Sequence, residues 1–230
     1  MGQQRVKEDA KAEKTEKKSA PKEEKKIIVK KWKGKEWFSI MSPVSFGNTF
    51  IADTPTTDPK TLVGRTVFVN VADFFRQPQK YYMKMQFKIN KVDGKNAYTR
   101  FNGYVCLKEY LSRYVRKGSQ KIMSIEYYTT KDNWNIQVYS MAVLNRNTDA
   151  AVQTAVRKAM REYLAEKIQT STIEEFMKAV IAGIHQKHMK KTFSKIYPIR
   201  FSEISKIEVI KAPEEKTEIK KEAKIAEEKK

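Results

Sequence analysis

The sequence is poor in the residues from which most site chemistry is built. Among 230 residues there is one cysteine and there are two histidines. A single thiol, Cys106, cannot close an internal disulfide, which excludes a stapled secreted domain. The same count excludes zinc ribbons and cysteine-held iron–sulfur clusters. Glycine is scarce as well: eight residues, scattered singly, form no phosphate-cradling loop and no dinucleotide fingerprint. The longest apolar stretch towards the C-terminal half, Ala179–Ile184, is far shorter than the roughly 20 residues that cross a bilayer. The opening Met1–Val6 has no apolar signal core, and Val6 stands where a myristoylation signal has Ser or Thr. These absences predict a soluble intracellular protein with no membrane partner and no cofactor.

Positive charge, by contrast, is abundant. There are 47 Lys+Arg against 27 Asp+Glu, a formal net charge of +20. The surplus does not sit where the chain looks most charged. Residues 1–26 and 212–230 mix Lys and Glu almost evenly and are nearly devoid of large apolar side chains. Neither segment can bury enough surface to offset its ordering entropy, so both are expected to be disordered tails. Residues 27–211 keep 32 basic and 15 acidic side chains, a net of +17. A folded body with that much self-repulsion belongs beside a polyanion.

Two hydrophobic periods divide the body. In the barrel-like region 27–146 the period is mostly two, from Glu36 to Leu144. Met85, Phe87 and Ile89 alternate with Lys84, Gln86, Lys88 and Asn90, giving a strand with one apolar and one basic–polar face. Asp93-Gly94 supplies a tight turn into a returning strand at Ala97–Val105. Further strands are expected near Trp37–Met41, Asn48–Ala52, Val67–Val71, Ile122–Thr130 and Trp134–Leu144, with a short helix at Leu107–Arg116. Six or seven antiparallel strands are most economically hidden in a closed or nearly closed barrel.

From 147 to 211 the period turns helical. Val152, Val156, Met160, Leu164 and Ile168 form part of one apolar stripe, and Asn147-Thr148-Asp149 offers N-cap chemistry. A second helix opens at Ser171-Thr172-Ile173-Glu174, a capping-box pattern, with Ile173, Phe176, Met177, Val180, Ile181 and Ile184 on its buried face. Gly183 is placed to bend or divide it. Ile199–Ile210 reads as a final strand returning to the sheet. The predicted class is α+β: an antiparallel β-barrel-like body, a C-terminal helical segment and a final strand.

No catalytic constellation emerges. His185 and His188 are spaced i, i+3, but no third metal ligand is suggested nearby, so packing or phosphate contact is the expected role. Cys106, near a strand end, reads as a small buried apolar residue. Glu174 and Glu175 sit in a first helical turn, where the dipole favours them.

The basic clusters carry more. Lys30, Lys31, Trp32, Lys33, Lys35 and Trp37 interleave cations with two indoles, a pattern that holds phosphates while a ring stacks on a base. Trp37 is expected in the core at the start of the first strand. Arg113, Arg116 and Lys117 repeat the pattern beside Tyr110 and Tyr114. Arg157, Lys158 and Arg161 lie opposite the apolar stripe of the long helix, a solvent-facing patch. Lys187, Lys190 and Lys191 form another on the following helix, more than capping requires. Neither a helix-turn-helix nor a basic zipper is visible. Charge spread over several elements points to a protein wrapped by structured RNA, with a DNA-binding architectural or chromatin role as the competing reading.

Particular residues then favour RNA. They include Leu62-Val63-Gly64-Arg65 leading into Val67-Phe68-Val69, Asp93-Gly94-Lys95-Asn96, and Phe101-Asn102-Gly103. Val156-Arg157-Lys158-Ala159-Met160 and Ile196-Tyr197-Pro198-Ile199 continue the series, after Trp37 in the Lys-rich opening. In this order and spacing, from about Lys31 to Lys211, the sequence resembles a family of small-subunit ribosomal proteins shared by archaea and eukaryotes, called S-three-A-e or e-S-one. The short Lys/Glu tails look archaeal. The resemblance implies a non-enzymatic component of the 30S subunit with a β-barrel body and accompanying helices. It also implies a place on the platform near the messenger RNA exit. Small-subunit rRNA, neighbouring platform proteins and exiting mRNA would be its partners.

Overall fold

Alternation along the strands decides what faces inward. The computed structural model describes residues 34–213, which from Lys35 onward belong to one unit. The tail expected at 1–26, the cluster Lys30–Lys33 with Trp32, and the C-terminal tail from 214 lie outside the described residues.

The strands are β1 (Glu36–Met41), β2 (Phe50–Thr56), β3 (Thr66–Asn70), β4 (Met83–Asp93), β5 (Asn96–Cys106), β6 (Gln120–Thr129), β7 (Asn135–Leu144) and β8 (Ile199–Lys211). The helices are α1 (Val71–Phe74), α2 (Lys108–Ser112), α3 (Ala150–Thr170), α4 (Ile173–Ala182) and α5 (Ile184–Phe193). The class is α+β, as expected.

The eight strands make one mixed sheet that does not close. β3, β4 and β5 run antiparallel, the β4–β5 hairpin turning at Gly94 in a left-handed conformation. Beyond β5 the sheet forks. Ser39–Met41 of β1 pair in parallel with Asn96–Tyr98, while β8 pairs antiparallel with Gly103–Val105 further along the same strand. β2 completes one branch, β7 and β6 the other. An all-antiparallel barrel was the sequence expectation. The period of two reports which side chains point inward but not which strands are neighbours, so the parallel pair and the fork are invisible to it. Gly103 makes the fork possible: a Cβ there would sit 2.5 Å from the Ile207 carbonyl oxygen, so only glycine admits β8 at this distance.

The main core joins both halves of the chain. Met83, Met85 and Phe87 of β4 are fully buried in one cluster with Val156, Met160, Leu164 and Ile168 of α3 and Phe176, Met177 and Val180 of α4. Each such side chain contributes about 1.5–3 kcal/mol of burial free energy. A smaller cluster of Phe38, Ile40, Leu62, Ile89 and Ala97 supports the β1 branch.

The cap signals of α3 and α4 land within a residue of the expected places, whereas α2 ends at Ser112, short of the expected Arg116, and β2 runs on to Thr56, past the expected Ala52. Asp149 occupies the N-cap of α3 without a side-chain cap bond; the Gln153 amide instead donates to the Thr148 carbonyl at 2.9 Å. The capping box of α4 is Thr172 with Glu175, one residue later than the Ser171–Glu174 reading. The hydrogen bond that Glu175 accepts from the Thr172 backbone N–H, then the Thr172 side chain, hold its carboxyl below the ordinary range. Gly183, with φ 78°, ends α4 and lets α5 start in a new direction. That break corrects one expectation: Ile184 leaves the buried face and is 49% exposed, while His185, Gln186, Met189 and Phe193 turn inward.

Candidate nucleic-acid interface

The first basic surface is the polar face of β4. Lys84, Gln86 and Lys88 alternate with the buried Met83, Met85, Phe87 and Ile89. A β-bulge between Ile89 and Lys91 shifts the hairpin register, which brings Arg100 of β5 directly opposite Lys88. On the other flank, Phe68 of β3 lies opposite Gln86 and is 59% exposed. Like charges directly across a strand pair cost stability. Neither Lys88 nor Arg100 makes an ion pair with a described carboxylate. Two repelling cations beside an exposed ring suit phosphate contact with a base stacked between.

The second surface is a depression of about 270 Å³ at the α4–α5 corner. Four cations from three parts of the chain line it: Lys80 ahead of β4, Lys187 and Lys190 on α5, and Arg200 on β8. Among the described residues only one acid lines it, Glu203, a residue that is 4% exposed. The Gln186 amide donates to Glu203 Oε1 at 2.6 Å and to the Val180 carbonyl oxygen at 2.9 Å. Burial pushes the Glu203 carboxyl up to about 7, against the pull of the Gln186 and Ile204 hydrogen bonds and the Lys80 charge. With that acid buried and pushed towards its neutral form, the four cations leave the rim strongly positive.

The third surface is weaker than its sequence suggests. On α3, Arg161 is ion-paired with Glu126 of β6, and Lys158 approaches Glu162 at 3.9 Å. Arg157 is half-buried. The expected solvent-facing patch is therefore partly neutralised by the protein itself.

The remaining expected residues divide. Arg113 donates to the Tyr81 hydroxyl at 3.2 Å, beside the ring pair Tyr81–Tyr82 that leads to the depression. Arg116 and Lys117 are exposed in the turn after α2, which the Ser119 hydroxyl closes by accepting from the Arg116 amide. Tyr110 and Tyr114 each already have one face stacked, on Tyr82 and on Phe201, with ring centroids 3.7 Å apart in both pairs. Lys191 is exposed on α5 outside the depression. Lys35 is exposed, and Trp37 corrects the core expectation: it is 57% exposed because Phe38 and Ile40 take the inward positions of β1.

The histidine pair separates. His185 is buried, its Nδ1 3.2 Å from the Tyr163 hydroxyl, and burial lowers its pKa to about 4. It is a neutral core residue, whereas His188 is exposed. Burial, then the Glu203 charge, push the Cys106 thiol up to about 12, which keeps it protonated. Among the described residues no three His, Cys, Asp or Glu side chains converge to hold a metal.

Lys80, Lys84, Lys88, Arg100, Arg200 and Phe68 were not singled out as binding residues. The alternation in β4 already displayed Lys84 and Lys88. Lys80 and Arg200 meet Lys187 only through the fold.

The model of the Ribosomal S3Ae family matches residues 23–213. The chain belongs to this family. The small ribosomal subunit protein eS1 of Pyrobaculum islandicum is 34% identical over 211 residues, 90% of this chain and 95% of that protein. Those of Methanopyrus kandleri and Desulfurococcus amylolyticus are 31% and 30% identical, each over 81% of this chain and 90% and 88% of their own lengths. The family's match takes in all three basic surfaces and the forked sheet.

Proposed function

We propose that this chain is a structural component of the small ribosomal subunit in the cytoplasm, binding ribosomal RNA and supporting translation without a reaction of its own. The observation that carries this is the family match over nearly the whole body, with relatives named as small-subunit proteins. The geometry supports the RNA part: among the described residues the cations of two basic surfaces make no ion pair, and an exposed aromatic lies on one. A place on the platform near the mRNA exit, beside neighbouring platform proteins, is the specific form of the reading. Nothing favours DNA architecture over this assignment.

The mechanism is electrostatic. Lys80, Lys187, Lys190 and Arg200, with Lys88 and Arg100, neutralise phosphates and release condensed counterions, lowering the cost of bringing RNA segments together. Six to ten such contacts make binding fall by roughly 10³–10⁵ between 50 and 200 mM salt. Binding of the purified protein to a platform rRNA fragment tests this, and a salt slope near zero contradicts it. Sedimentation tests the cellular role: the protein travels with 30S particles and 70S ribosomes, and a peak confined to the top of the gradient refutes it.

A further inference from the structure

A groove on the far branch of the fork has a chemistry unlike the basic surfaces. It encloses about 540 Å³ between the end of β5, α2 and the strands β6, β7 and β8. Its floor is apolar: Cys106, Leu111, Val115, Met123 and Met141. None of its lining residues is acidic, and three lysines, Lys108, Lys121 and Lys206, stand around it. Lys206 is held by Glu208 at 2.5 Å. Lys108 and Lys121 have no ion pair among the described residues.

The groove runs onto the outermost strand of this branch, β6, whose Glu126 and Tyr128 side meets α3. β6 pairs only with β7 among the described strands, so one side of a 10-residue strand has no strand neighbour. Lys121, Met123, Ile125 and Tyr127 alternate along it on the face that includes Met141 and Tyr139, their direct cross-strand partners being Val143, Met141, Tyr139 and Gln137. Met123, Ile125 and Tyr127 are 41%, 48% and 70% exposed. A long apolar edge of this kind is a template for an added strand. Phosphate backbone gains little from an apolar floor, which separates this site from the RNA surfaces.

We propose that this edge and groove dock an extended segment of a neighbouring small-subunit protein. The segment carries apolar side chains at alternate positions, covering Met123 and Ile125, and a carboxylate where it passes Lys121 and Lys108. Backbone hydrogen bonds to β6 supply affinity, and the alternating side chains supply choice of partner. The inference rests on the chain's place in the small subunit, which is checked separately by sedimentation of the same preparation.

The test places p-benzoyl-phenylalanine at Tyr127 in the full-length protein, isolates small subunits that contain it, and identifies the photo-crosslinked peptide. The expected product joins Tyr127's position to a segment of another subunit protein with the apolar–acidic alternation. Adding Lys121→Glu, an exposed substitution compatible with folding, lowers the yield of that product about tenfold, the equivalent of one lost charge contact of roughly 1.4 kcal/mol. The proposal is overturned by a crosslink to rRNA, to a second copy, or to residues 1–33 or 214–230 of the same chain. A partner segment without the alternation overturns it too, as does a yield indifferent to Lys121→Glu or no crosslink from particles that contain the chain. Failure of the chain to enter small subunits at all would instead refute the proposed function.

Discussion

The α5 cluster Lys187, Lys190 and Lys191, two of which line the depression, and the patch on α3 look alike in sequence, each a short run of cations on a helix. They differ in what the fold sets beside them. Beside α3 the half-buried Glu126 of β6 and the exposed Glu162 approach Arg161 and Lys158. At the depression the one acid, Glu203, is buried behind Gln186 and driven towards its neutral form. Local neutralisation, rather than the count of basic residues, decides which surface attracts a polyanion.

The largest expected effect comes from breaking the stronger side of that contrast. Replacing Lys80, Lys187, Lys190 and Arg200 together with Gln removes four phosphate contacts, reducing the salt slope by about 4 and the affinity for an rRNA fragment on the order of 10³-fold near 0.1 M salt. Circular dichroism and a thermal melt check that the variant folds, since none of the four is in the core. Next in size is the cross-strand pair. Lys88→Gln with Arg100→Gln is expected to weaken binding roughly 50-fold while raising the stability of the free protein by about 0.2–1 kcal/mol, because it relieves a like-charge repulsion. Denaturant titration checks the second half; a loss of stability would show that the pair is not repulsive.

The α3 patch is expected to yield less. Arg157→Gln, Lys158→Gln and Arg161→Gln together reduce the salt slope by about 1, because part of their charge is already spent within the protein. The smallest effect sharpens the role of Glu203. With its carboxyl titrating near 7 in the folded protein, RNA affinity is expected to fall as pH rises from 6 to 8 and negative charge appears under the cations. Glu203→Gln flattens that profile.

Stability follows the same linkage with a definite sign. The folded state holds the Glu203 proton more tightly than the unfolded chain, so this group makes stability fall as pH rises between the ordinary carboxylate range and about 7. His185, lowered to about 4, acts oppositely: its neutral burial stabilises above its ordinary range and is lost as pH falls towards 4. Melts of Glu203→Gln across pH 5–8 should lose the first trend and retain the second.

Much of this was legible from residues alone, where one element carried its own pattern. The apolar stripe of α3, the alternation of β4, the turn at Asp93-Gly94 and the break at Gly183 are local signals, and each marks a real feature. Trp37 was misread although its neighbours carried the answer, since alternation gives the inward places to Phe38 and Ile40. What escaped was convergence. Lys80 and Arg200 are 120 positions apart and meet only because β8 returns beside α5. Arg100 faces Lys88 only because a bulge moves the register by one residue. Nor does composition tell whether a carboxylate will be exposed beside a cation, as at Glu162, or buried beneath one, as at Glu203.

The contrast between the two helical surfaces is tested most directly by one side-by-side titration. Binding of wild-type protein, the fourfold depression variant and the threefold α3 variant to one rRNA fragment is measured from 50 to 200 mM salt. The account predicts that the depression variant loses about 4 from the salt slope and the α3 variant about 1. Equal losses, or the larger loss on α3, would contradict it.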